Sequence, residues 1–226
     1  MKGLLAAIVL AASLAAAWPA AGGATNECNG IQACIRVPGP WVVVSPGATA
    51  EYLLACPNGR GVVAGLDAQA TTRDVRVLFD GRIGAPVSPG VTTDRSALFR
   101  AIVVGGRRQA FQPLLGCIRA GGGGRSTVSA RVVSAGAALD LRARTVALRP
   151  GLQRAVSVLC PAGERLAGSW SALAFRTVRP PALAEADAVR LARVAAARGA
   201  TVTAAATDAL SPDAHALVQV GVECAP

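Results

Sequence analysis

The chain has 226 residues, with 23 Lys+Arg against 13 Asp+Glu and a formal net charge of +10. Aromatic residues make up only 4% and the arginines are scattered, Arg107-Arg108 being the only adjacent pair, which excludes the basic-and-aromatic groove of a single-stranded nucleic-acid binder. Lys2 is the only lysine, so arginine elsewhere reflects the codon bias of a GC-rich genome, not selection for bidentate phosphate contacts.

The first 24 residues read as a signal peptide. Lys2 supplies the positive start and Leu4–Ala17 an apolar run too short to span a bilayer. Gly22-Gly23-Ala24 places cleavage after Ala24, with Ala15–Ala17 as a second candidate. No Leu-small-small run precedes Cys28, so a lipoprotein anchor is not expected. Removing residues 1–24 from 226 leaves 202, with 22 Arg, 13 acids and a net +9. That length accommodates two domains of about 100 residues each. A surplus of this size favours adsorption to anionic surfaces.

All six cysteines lie beyond residue 24, and an even count in an exported chain reads as disulfides. Cys28 and Cys34 bracket the turn dipeptide Asn29-Gly30, which suggests a local clip. The other four follow an internal repeat. Pro46-Gly47 and Cys56-Pro57 return 104 residues later as Pro150-Gly151 and Cys160-Pro161, and Cys117 returns 107 later as Cys224. Six cysteines allow 15 pairings. The repeat favours Cys56–Cys117 and Cys160–Cys224, loops of 61 and 64 residues. Closing a loop of that size is worth roughly 4 kcal/mol in the chain-entropy model.

The predicted elements are strands. Pro38-Gly39-Pro40 breaks the chain before Trp41–Val44, and Ser45-Pro46-Gly47 turns it into Thr49–Cys56. Gly61–Leu66 follows, then Asp74–Asp80 with Val75, Val77 and Phe79 on one face and an Asp80-Gly81 hairpin signal. Ser96–Val104 and Phe111–Arg119 complete the first copy, with Ser126–Val133 as a further strand beyond the Gly121–Gly124 turn. The second copy runs through Ala138–Leu148, Gln153–Cys160 and Gly168–Thr177. Ala182–Arg198 has helix-favouring composition, but Val189, Leu191 and Val194 stand where the first copy has its Val75 strand, so about Ala188–Ala195 is expected to be strand. Thr201–Thr207 and Ala216–Cys224 end the chain.

Strands every 8–12 residues point to an all-β protein of two tandem sandwiches, 25–136 and 137–226, immunoglobulin-like by analogy of spacing and class. Trp170, ten residues after Cys160, stands loosely where such domains keep a core Trp, and the first copy has Leu66 at that place. The second copy stops two residues after Cys224, and a missing last strand would leave an edge there for other chains to pair with.

Catalytic chemistry is not expected. The one histidine beyond the leader, His215, sits with Asp213 beside a Ser-Pro turn, and Gly168-Ser169-Trp170-Ser171-Ala172 misses the nucleophile-elbow pattern. No zinc or calcium spacing occurs, and Asp67, Asp74, Glu185 and Asp187 are isolated acids that only folding could pair. No cofactor or metal site is therefore expected. Trp41 and Trp170 are the only candidates for a carbohydrate platform. The expected role is a secreted, non-enzymatic interaction or structural protein of a bacterial cell envelope. Its partners would be an anionic polymer or a protein docked on a sheet edge, with wall-glycan binding as the alternative and an unrecognised hydrolase third. Differences between the copies should carry function, above all the loops before Val75 and Val189 and the edge after Cys224.

Overall fold

The computed structural model describes Cys28 and residues 34–57, 61–80, 95–119 and 139–226. The leader, the Asp80-Gly81 turn, the glycine run and Ser126–Val133 lie outside the described residues. Thirteen strands and one short helix are present among the described ones.

The repeated Pro-Gly dipeptides fold alike. Pro46 and Pro150 preset the first turn position, and Gly47 and Gly151 both take φ +68°, the left-handed conformation that a type II turn needs at its third residue. Ala48 N donates to Ser45 O and Leu152 N to Arg149 O, each at 3.2 Å. The turns join β2 (Trp41–Val44) to β3 (Thr49–Ala55), and β8 (Asp140–Ala147) to β9 (Gln153–Leu159).

The central sheet has seven strands. β7 (Gln109–Arg119) pairs on one edge with β1 (Ile35–Pro38) and β2, and on the other with β4 (Gly61–Ala70). β13 (Ala216–Ala225) likewise lies between β8 and β10 (Arg165–Phe175). The two halves join where β2 meets β10, through Trp41↔Phe175 and Val42↔Ala174. Two three-stranded antiparallel sheets pack on this one: β3, β6 (Ser96–Val103) and β5 (Val75–Asp80), then β9, β12 (Gly199–Ala206) and β11 (Val189–Ala196).

The two small sheets cover opposite faces of the central sheet. Side chains alternate along a strand. Ala172 and Ala174 of β10 belong to a core with Val42, Val44, Phe99 and Phe111. Leu173 and Phe175, in the other phase, belong to a core with Val202, Val218, Val220 and Val222. Disulfide Cys56–Cys117 lies in the first core and Cys160–Cys224 in the second. Cys28–Cys34 closes the local loop.

One expectation changes. The strand ending the chain is no edge: β13 is paired on both sides, so the outer strand of the second half is β8. In the ambiguous stretch the strand expected over about Ala188–Ala195 is present, preceded by a short helix. Leu183–Asp187 is a short helix (α1) in which the Glu185 side chain accepts from Ala182 N, and Val189–Ala196 then pairs with β12 along its whole length. Sheet pairing there overrides propensity. Val194 stands in the opposite phase to Val189 and Leu191 and is 68% exposed.

Trp170 also differs from its expected role. It is buried, but in the phase of Ala172 and Ala174, facing the first half and not the core of its own. It stacks over Gly221, its partner in the β10–β13 ladder, and a Cβ there would overlap the indole ring. Its counterpart in β4 is Asp67, not Leu66: Trp170 pairs with Gly221 and Asp67 with Leu114, matching the 107-residue offset of Cys117 and Cys224. Gly221→Ala is expected to lose about 1–3 kcal/mol in urea denaturation, because the added methyl group would force the indole out of its place.

Candidate functional site

Where the halves meet, β2 is short and β10 long, and the strands diverge beyond their two shared pairs. The gap opens into a cleft of about 1040 Å³. One wall is Thr49–Glu51 of β3 with the rows Arg76/Ile102 and Leu78/Arg100 beside it. The other is Ser169–Leu173 of β10 with Val189, Leu191 and Arg193 of β11.

Polar contacts, one of them fully buried, brace these walls. Gln219 of β13 is the one polar residue buried in the described part of the molecule. It lies in the phase of Leu217, toward the first half. Its Oε1 accepts from Leu53 N at 2.8 Å and from Trp170 Nε1 at 3.2 Å. Its Nε2 donates to Leu53 O at 3.0 Å and to Thr145 Oγ1 at 3.1 Å. All four hydrogen-bonding positions of the amide are filled, so its burial leaves nothing unpaired. Arg100 Nε meets Glu51 Oε1 at 2.9 Å and its NH2 meets Glu223 Oε1 at 2.5 Å, a bridge from β6 through β3 to β13. Arg108 pairs with Asp187, and the Arg193 guanidinium donates to the Ser169 carbonyl.

The cleft is cationic. Its ionisable lining is Arg76, Arg100, Arg108 and Arg193 against Glu51 alone. Arg76 and Arg193 have no carboxylate partner among the described residues. Leu78, 65% exposed, and Ile102, 40%, add apolar surface between the charges.

The sequence-derived candidates lie elsewhere or are buried. Trp41 and Trp170 are 6% and 2% exposed, so neither offers a face for a sugar ring. His215 is exposed at the end of a 3-10 turn, with φ +44°. Asp67 accepts from Ala68 N, Asp187 pairs with Arg108, and Glu185 caps α1. Among the described residues no three His, Cys, Asp or Glu side chains cluster as metal ligands would. No helix there is long and apolar enough to cross a membrane. The cleft itself was not read from sequence. The outward phase of Arg76 and Leu78 was its only visible signal.

The chain matches no protein-family model, no curated protein and no solved structure.

Tyr52 reports on the junction directly, being the sole tyrosine. Burial raises its pKa above 10.0, opposed by a hydrogen bond with Thr145 and by the charge of Arg176. A raised folded pKa means the stability contribution is complete below the unfolded value near 10 and is lost as pH climbs through the folded value. Phenolate absorbance should therefore rise at higher pH in the native than in the urea-denatured protein. Gln219→Leu, which strips partners from Leu53 and Trp170, should lower stability by about 2–4 kcal/mol, read from urea denaturation.

Proposed function

We propose that the chain is an exported, non-enzymatic interaction module of a bacterial cell envelope that holds an anionic partner in the cleft between its halves. In this reading residues 1–24 are a cleaved signal peptide. Two immunoglobulin-like sandwiches, 25–136 and 137–226, descend from one repeat unit. Matching strand pairings around β7 and β13 support the repeat. Three disulfides are consistent with an oxidising, extracellular setting.

The observation that carries the reading is the presence in the cleft of Arg76 and Arg193, guanidiniums with no carboxylate partner among the described residues, beside Arg100 and Arg108, which are paired. Low-dielectric walls focus such a field on whatever enters. Among the described residues Arg76 and Arg193 have no carboxylate to give up when an anion arrives. A neutral glycan is less well served, since both indoles are buried.

The purified protein should bind the envelope fraction of its producing cell, and synthetic poly(glycerol phosphate) as a defined polyanion. Affinity should fall about tenfold as ionic strength rises from roughly 0.01 M to 0.15 M. Arg76→Glu with Arg193→Glu should abolish most binding, while Arg154→Glu on exposed β9 should change it little. Salt-insensitive binding untouched by the cleft variants would refute the electrostatic reading in favour of a neutral ligand.

A further inference from the structure

The cleft contains an unpaired length of strand edge. β10 pairs with β13 from Arg165 to Phe175. On its other edge only Ala174 and Phe175 have partners among the described residues, because β2 parts from β10 after Val42, while Val43 and Val44 stay paired with β7 alone. In an antiparallel strand the N–H and C=O of one residue point to the same edge, and successive residues alternate. The Ser169 carbonyl receives the Arg193 guanidinium, which identifies Ser169, Ser171 and Leu173 as the set aimed into the cleft. Among the described residues no strand pairs with them there.

We propose that β10 takes an extended, acidic segment of a second polypeptide as an added antiparallel strand along Ser169–Leu173. The proposal rests on the anionic-partner reading above and names the partner's class. The slot continues the line that β2 begins at Trp41 and Val42, so the added strand extends a junction already present in the chain. Five residues of strand cover about 17 Å. Ladder bonds to Ser169, Ser171 and Leu173 supply affinity independent of side chains, as in other strand-addition complexes. Acidic side chains on the added strand meet Arg76 and Arg193, and apolar ones meet Leu78 and Leu191. Ser169 gives up its contact with Arg193, whose guanidinium is then available to a carboxylate.

The test uses the whole protein and a fluorescent peptide of alternating Glu and Val, seven residues long. Two further versions carry N-methyl groups on alternate residues, in the odd or the even register. Anisotropy should show binding by the parent peptide and by one methylated register, with the other register at least about tenfold weaker, because only one edge of an added strand faces β10. Binding should protect the Ser171 and Leu173 amides from hydrogen exchange, and Arg76→Glu should weaken it with the near-ultraviolet dichroism unchanged. Equal binding by both methylated registers, or protection confined to other amides, overturns strand addition and leaves charge adsorption. Binding of poly(glycerol phosphate) without any peptide binding overturns this inference alone. Failure of both probes overturns the anionic-partner reading as well.

Discussion

The structure depends on β10 serving two cores at once. Ala172 and Ala174 are small because the first half packs Phe99 and Phe111 toward that face. Phe175 and Leu173 fill the other face. Neither phase tolerates a polar side chain without a partner. The same demand reaches β13, where Val218, Val220 and Val222 face one side and Gln219 the other. Gln219 is tolerated because it acts as a substitute backbone for β3, giving Leu53 both an acceptor and a donor. The halves are therefore held together by ladder bonds, apolar burial and one satisfied amide, and the Arg100 bridge adds to these at a half-exposed position where ion pairs contribute less.

Much of the scaffold was legible locally. A type II turn is specified by Pro then Gly, whatever surrounds it, so Ser45–Ala48 and Arg149–Leu152 could be read directly. Strand alternation at Val75 and Val77 likewise needs only a period of two. What escaped was non-local. Gln219 and Leu53 stand 166 residues apart, and nothing around either predicts the other. The apolar content of Ser171–Phe175 in both phases signalled burial on two faces, but not whose core lay on each. Sequence alone therefore does not say which core Trp170 faces. A strand wanted by two cores has no exposed phase, so its indole could face either.

The cleft was illegible for a related reason. Each of its arginines reads alone as a solvated charge, and three come from the first half while Arg193 comes from the second. Their convergence follows from the position of the junction, which follows from which edge of β10 is left free. The repeat told that two similar units exist. It did not tell that β2 of one would join β10 of the other, since edge pairing uses backbone groups that every sequence carries.

Edges themselves differ in how they are guarded. β8, the outer strand of the second half, carries Asp140, Arg142 and Arg144, with its middle residues exposed, a charged edge of the kind that discourages pairing. The free stretch of β10 has Ser169 and Ser171, small and uncharged, so nothing on the strand itself repels a newcomer. Its protection comes from outside, from a cleft wall on each side and an arginine resting on one carbonyl. Protection by enclosure and a removable cap restricts which chain enters, whereas charges on the strand would restrict all of them. The short β2 produces that difference: two residue pairs join the halves, and beyond them the cleft-side edge of β10 has no strand partner among the described residues.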